Sequence, residues 1–323
     1  MTRIFLAAIF ASFSICESIA STDISSSFPQ KPIRMIVPFG AGSATDLFAR
    51  SVAEAMGQQT GKVVVVENKP GASGFLAAVS AKTSAPDGYT IFFTSNTTQV
   101  ANPNLFKSLP YDPVADFTPL ALLGSGENVL VVNAKSSIRS LSDLINAARI
   151  KPNTLTFAAG SASSRVSTEL LQQMSSIKVT HIPYKSNPQA IIDLLGGQVD
   201  FMSTDTATGI PHIKQGSLRA LAVTGKKRNP LLPDVPTMEE AGISGYVFSN
   251  WFAAYSPAGT PLPISTKLSR LFNDSLKSES VKQFSKSSGN LIEFRDGVHL
   301  RAFQADETAR WAKIIKAAGI VAE

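Results

Sequence analysis

Two short stretches of small polar residues carry most of the chemistry open to this sequence. The first is Phe39-Gly40-Ala41-Gly42-Ser43-Ala44-Thr45-Asp46. It follows the apolar run Ile33 to Val37 and precedes a segment in which Phe48, Val52, Ala55 and Met56 recur at helical spacing. The second is Gly160-Ser161-Ala162-Ser163-Ser164-Arg165, placed between Leu155–Ala159 and a helical face of Val166, Leu170, Leu171 and Met174. Each predicts a strand, a tight turn and a helix N-terminus. The first N–H groups of a helix have no acceptor within it, and the helix dipole is positive there. Small residues let an anion approach the backbone. Three readings fit the first turn: a dinucleotide site, a small-anion pocket, or a βα turn that binds nothing. The dinucleotide pattern GxGxxG is incomplete, because Thr45 stands where the third glycine belongs.

Catalytic constellations are missing from the pattern. A nucleophile elbow needs GxSxG after a strand, and Gly160-Ser161-Ala162-Ser163-Ser164 fails at its fifth position. The three histidines have no metal-ligand spacing; His181 lies in a strand, and His212 and His299 read as helical and peripheral. No metal, cofactor or catalytic residue is therefore expected. Asp46 falls in the first helical turn, where it either orders the loop or touches a ligand. Arg165 carries a permanent charge suited to gripping a carboxylate through two parallel bonds, or else caps a surface or pairs across domains.

At the N-terminus, Arg3, the apolar run Ile4–Ile15 and the small-x-small site Ser18-Ile19-Ala20 predict a signal peptide of residues 1–20, cleaved after Ala20. The bulky Ile15 before Cys16 argues against lipidation. Without that segment no cysteine remains, so stability in an oxidising compartment must come from the core. The net charge of +6 is scattered, with Lys226-Lys227-Arg228 the longest run, so a nucleic-acid partner is not expected. A mild positive field that draws in small anions and a solvated basic surface both fit that charge.

The elements that must position these turns alternate strand and helix, which predicts an α/β fold with largely parallel sheets. Further strands are expected over Val63–Glu67, Tyr89–Thr94, Glu127–Asn133, Val179–Tyr184, Val199–Met202, Leu218–Thr224 and Phe252–Tyr255. The strand at Tyr89 runs into the polar loop Ser95-Asn96-Thr97-Thr98. Asn102–Pro119, with four prolines, reads as irregular. Ser140 with Asp143 and Thr237 with Glu240 read as helix starts, and Asn187 as a cap with Pro188 behind it. After Pro257 the chain reads as helical, packing back on its first part, so two crossovers join two domains: 28–128 plus 250–323, and 129–249. In open α/β sheets ligands bind beyond the carboxyl ends of strands. Two facing turns across a cleft would clamp a small anion.

A series of motifs then brings in a family. They run from Lys31-Pro32-Ile33-Arg34 and Glu67-Asn68-Lys69-Pro70-Gly71 through Pro86-Asp87-Gly88-Tyr89-Thr90 and Leu109-Pro110-Tyr111-Asp112-Pro113. Pro183-Tyr184-Lys185, Leu194-Leu195-Gly196-Gly197-Gln198-Val199-Asp200 and Leu232-Pro233-Asp234-Val235-Pro236-Thr237 continue the series. In this order they resemble the periplasmic solute-binding proteins of tripartite tricarboxylate transporters, the Bug family. The resemblance implies a two-domain, type II-like venus-flytrap receptor in the periplasm. It would bind a small carboxylate through backbone amides and pass it to a membrane permease. The ligand could be a mono- or dicarboxylate, an amino acid or an aromatic acid. By analogy the receptor is a monomer. The same closed form could instead serve a signalling partner, and a secreted hydrolase is the remaining alternative. The matching positions imply a ligand site at Phe39, Gly40, Gly42, Ser43, Ala44, Thr45, Asp46, Ser95, Asn96, Thr97, Ser161, Ala162, Ser163, Ser164, Arg165, Tyr184, Thr204 and Asp205. Arg165 stands where the family pattern suggests histidine. Thr204-Asp205 replaces a common Asp-Asn pair.

Overall fold

The computed structural model describes residues 27–322; the signal segment and its cleavage site lie outside the described residues. β1 (Ile33–Val37) leads into α1 (Ala44–Thr60), β2 (Val64–Asn68), α2 (Phe75–Lys82) and β3 (Thr90–Ser95). A π-helical turn over Thr97–Ala101 and the short α3 (Asn102–Leu105) precede β4 (Phe117–Gly126). Then come β5 (Asn128–Asn133), α4 (Leu141–Ile150), β6 (Thr156–Ala159), α5 (Ala162–Ser175) and β7 (Thr180–Pro183). They are followed by α6 (Asn187–Leu195), β8 (Phe201–Asp205), α7 (Thr206–Lys214) and β9 (Leu218–Val223). β10 (Asn250–Pro257), α8 (Leu262–Ser275), α9 (Glu279–Ser288), β11 (Leu291–Asp296) and α10 (Gly297–Ala317) complete the chain.

The strands form two sheets, ordered β11-β4-β10-β3-β1-β2 and β7-β6-β8-β5-β9. The chain leaves the first sheet at Gly126, enters the second at Asn128 and returns at Asn250. The expectation of largely parallel sheets is corrected to mixed sheets. β1 pairs in parallel with β2 and β3, and β6 with β7 and β8. Every antiparallel pair contains β4, β5 or β10, the strands that carry the chain between sheets. A strand that arrives from the other sheet has no crossover helix to turn it round, so it is free to run against its neighbours.

Two strands occupy segments that the sequence assigned otherwise. β4 begins inside the proline-rich stretch, with Pro119 opposite Tyr255 next to a register shift in β10. Such an irregularity accommodates a residue with no N–H to give the ladder. β11 interrupts the C-terminal region read as helical, and its largely exposed pattern hides it from periodicity. Two local expectations also change. Ser186, not Asn187, is the N-cap of α6, and Met174 is exposed rather than packed. Ser140 and Asp143 form the capping box of α4. Thr237 and Glu240 exchange the same two bonds, at 2.9 and 3.0 Å, but the segment stays a turn that ends at Gly242, where φ is +102°.

Aromatic packing fixes the first site helix. Phe48 on α1 is fully buried and meets Phe93 and Phe252 edge-on at 5.4 and 5.5 Å, and stacks on Phe284 at 4.8 Å. Such pairs add about 0.5–1.5 kcal/mol each beyond their area burial. On the far side α10 docks Trp311 against Phe248 and Phe303 against Trp251. The Trp251 indole N–H donates to Glu307 at 3.1 Å, tying the start of β10 to that helix.

Two outcomes follow from this architecture. Gly160, just after β6, lies so close to the next loop that an added Cβ would run into the backbone of Ser186 and Asn187. Gly160→Ala should destabilise the fold by about 1–3 kcal/mol, the usual cost of overpacking, read as a lowered urea midpoint; an unchanged midpoint would contradict the close approach. Glu127, the one residue between β4 and β5, is half-buried and accepts from the Asn229 amide at 2.8 Å. Burial raises its pKa above the ordinary carboxylate value, against the pull of bonds from Asn229 and the Gly225 N–H. An acid with a raised folded-state pKa contributes most at low pH, and that contribution is lost as pH rises from about 4.5 through the folded pKa. Glu127→Gln should therefore match the wild type in acid and gain Tm relative to it toward pH 7. A Tm difference independent of pH would refute this.

Candidate functional site

The first turn is built around an acid that the turn itself consumes. Ser43 is the N-cap of α1 and accepts from the Asp46 N–H at 3.3 Å. Gly42 takes φ +80°, a left-handed value that favours glycine. Asp46 is 1% exposed. Its carboxylate accepts from the Gly42 N–H at 2.9 Å and the Asn68 amide at 2.8 Å, and pairs with Arg50 at 2.9 Å. The same Asn68 amide donates to the Phe39 carbonyl at 2.9 Å. Asp46 thus locks the turn to the end of β2.

The second turn repeats the cap. Ser161 accepts from the Ser164 N–H at 3.2 Å and opens α5. In both helices the cap satisfies the third amide of the first turn. Ala44 and Thr45 on α1, and Ala162 and Ser163 on α5, keep amides with no helical acceptor. Behind this turn Asn187 accepts from the Gly160 N–H at 3.1 Å and the Ser164 hydroxyl at 3.0 Å. It donates to Asp205 at 3.0 Å. Asp205 caps α7 by accepting from the Thr208 N–H at 2.8 Å, so both of its oxygens are engaged.

Asn96, at the end of β3, joins the two sheets. It has no exposed surface; its Nδ2 donates to the Ser163 hydroxyl at 3.0 Å, and its Oδ1 lies 3.3 Å from the same hydroxyl. The π-turn that begins at Thr97 turns the chain sharply at this point. The crossovers meet here too: the Asn250 amide donates to Asn128 Oδ1 at 3.0 Å.

These groups enclose a cavity of about 30 Å³. That is room for about two waters, the size of one carboxylate head. Phe39, Ser43, Ala44, Thr45, Ser95, Asn96, Thr97, Ser161, Ser163 and Asp205 line it. Gly160, Asn128, Asn187, Asn250 and Phe252 also line it. Among the described residues its walls hold no cation. The Thr97 hydroxyl and the Asn250 Oδ1, on residues of these walls, are buried among protein atoms without a hydrogen-bond partner.

A larger cavity of about 400 Å³ adjoins it through Phe39, Gly160 and Ser161. Ala162, Arg165 and Tyr184 line this outer space with Ser73, Gly74, Leu105, Phe106, His181 and Lys185. Tyr184 donates its hydroxyl to Asp193 at 2.7 Å. Burial, then Asp193, push its pKa up to about 12.

Five of the residues implied by the sequence line neither space: Gly40, Gly42, Asp46, Ser164 and Thr204. Gly40 packs against Ser186, and Gly42 shapes the turn. Ser164 is bonded to Asn187, and Thr204 is fully buried on β8. The sequence reading did not assign Asn128, Asn187, Asn250, Gly160 or Phe252 to the site. A signal existed for two of them: asparagine is disfavoured in strands, yet Asn128 and Asn250 open β5 and β10 at the two crossovers.

Known proteins share this fold. The profile of the tripartite tricarboxylate transporter family receptors matches residues 48–320. BugT of Bordetella pertussis is 35% identical over 322 residues, 99% of this chain and 98% of BugT. An R. palustris protein solved with adipate superposes with a TM-score of 0.88 at 32% identity, over 92% of this chain and 100% of its own. MatC from Rhodopseudomonas palustris, solved with bound malate, gives 0.85 at 31% identity over 89% of this chain and 100% of its own. The fold is that of the periplasmic binding proteins, and the chain belongs to the tripartite tricarboxylate transporter receptors, the family of the Bug proteins.

Proposed function

We propose that the chain is an extracytoplasmic receptor that captures a small carboxylate and hands it to a membrane permease of the tripartite tricarboxylate type. The observation that carries this is the inner cavity: two helix N-termini from different sheets, each with its third amide capped and its first two uncapped, bordering a space for one carboxylate head. In this reading residues 28–128 with 250–323 form one domain and 129–249 the other. The signal peptide directs the protein to the periplasm, where it works as a monomer and does no covalent chemistry. An open cleft admits the ligand, and the amides of both domains engage it. The gain in contacts shifts the population to the closed form that the permease reads.

The solved relatives bound to adipate and malate support a carboxylate ligand. The inner walls add a physical reason. They offer amides, hydroxyls and asparagine side chains, and their one formal charge, Asp205, is already held by Thr208 and Asn187. Such a site favours an anion by dipoles and hydrogen bonds rather than by a counter-charge.

Two measurements test the reading. Mature protein from Ser21 onward, unfolded and refolded to strip ligand, should gain Tm with members of a mono-, di- and tricarboxylate panel and not with neutral controls. A ligand at about a hundred times its Kd stabilises by about 2.7 kcal/mol. No shift from any carboxylate in refolded protein would overturn the proposal. Asn96→Ala removes the side chain that bridges β3 to α5 and should weaken every carboxylate by about tenfold, the usual worth of a buried hydrogen bond. In small-angle scattering with ligand present, the variant should also remain more extended than wild type. Unaltered affinity and shape would remove Asn96 from the clamp.

A further inference from the structure

We infer that the groove between α8, β11 and the start of α10 is a docking surface for the membrane permease, and that it takes an acidic, partly apolar extracytoplasmic segment. This rests on the delivery reading above and assigns that delivery a face of the receptor. Three adjoining spaces make up the groove. The central one, about 450 Å³, has apolar walls at Leu120, Phe294 and Val298 and charged ones at Arg270 and Arg301. A second, of about 600 Å³, joins it through Leu262, Thr266 and Arg270. A third, of about 420 Å³, joins it through Asn273 and Phe294 and adds Lys282 and Lys286. None of the residues lining these spaces lines either cavity described above. Together they follow α8, whose 14 residues span about 20 Å. An extended chain of about six residues covers that distance.

The charge of this face is one-sided. Residues 262–301 hold seven lysines and arginines against four acids, so the stretch carries half of the net charge of +6. Each acid already has a partner. Asp274 pairs with Lys277 at 2.9 Å, Asp296 with His299 at 2.8 Å, Glu279 with Lys286 at 3.9 Å, and Glu293 with Arg295. Arg270 and Arg301 are exposed and make no ion pair among the described residues. Two like charges at one cavity favour an anionic occupant. Leu262 and Val298, at its rim, are 77% and 79% exposed, so the groove also offers apolar contact that this chain does not use. Exposed arginine beside apolar side chains is the composition of protein interfaces. Membrane proteins keep most of their Lys and Arg on cytoplasmic loops, which leaves the extracytoplasmic loops poor in basic residues. A basic groove on an extracytoplasmic receptor therefore meets little like charge there. Its concave, partly apolar walls suit a polypeptide segment better than a flat lipid surface.

Photo-crosslinking and uptake test this on the mature receptor with the permease in native membranes. A benzophenone amino acid in place of Val298 should link to a permease subunit. One in place of Val65, exposed on β2 at the opposite edge of the same sheet, should not. Arg270→Glu combined with Arg301→Glu should keep the wild-type carboxylate affinity in calorimetry and lose the Val298 crosslink. Uptake at low salt should fall about tenfold, and added salt should narrow the gap by screening the attraction. Both arginines are exposed, so their replacement spares the core. Wild-type uptake by the double variant would overturn the inference and leave the receptor standing. A Val298 probe that links to lipid alone would overturn it in favour of a membrane-binding face. Loss of carboxylate affinity in the double variant would tie the arginines to the ligand site or the fold and also overturn it. Wild-type protein that binds a carboxylate yet supports no uptake would overturn the delivery reading and this inference together.

Discussion

Two positive helix ends at one small buried space set the terms for everything else in this molecule. The N-termini of α1 and α5 belong to different sheets, and both border the inner cavity. Each carries the equivalent of roughly half a positive charge when its amides are unsatisfied. Brought together around an empty space they repel, and their uncapped amides lose water without gaining acceptors. An anion between them reverses both terms. In the proposed function, closure and anion binding would therefore be one process in physical terms, and a ligand without an acceptor head would leave the cost unmet.

The acids near the site fit this logic because they are spent elsewhere. Asp46 sits in the first turn of α1, where a carboxylate could have neutralised the helix end and competed with a ligand. Instead the Gly42 N–H, Asn68 and Arg50 hold it on the side of β2. Asp205 is on the cavity wall, but its oxygens serve Asn187 and Thr208. Both acids stiffen the loops that aim the amides. Preorganised donors of this kind lose less entropy on binding than loops that must order around the ligand.

The sequence made the strand-turn-helix units legible because capping serines, small residues and apolar periodicity are local signals. Both site turns, and most strands, could be read from neighbours within a few positions. The missed parts are non-local. β11 has no buried face strong enough to set a period of two, and β4 hides behind Pro119, Gly124 and Gly126. Asn128 and Asn250 are 122 positions apart and meet only because the chain crosses between sheets twice. Arg165 and Asp46 illustrate the converse limit. Both residue types suit anion chemistry and both lie in site turns, yet one lines the outer cavity and the other is turned inward to order its own loop.

In the proposed function, the division into a small inner and a larger outer space would also separate recognition from selectivity. The inner space is built from backbone amides, capping serines and asparagines, so the carboxylate preference proposed for it would depend on chain geometry more than on side-chain identity. Substitutions there disturb caps and close backbone contacts, as at Gly160, and carry a folding cost. The outer space is lined by side chains that project from formed elements: Phe106 after α3, Arg165 on α5, Lys185 after β7. Changes at those positions alter size and charge without touching the amides. A receptor organised this way can keep one head-group clamp and acquire different ligand bodies. Two relatives of this fold were solved with acids as different as adipate and malate.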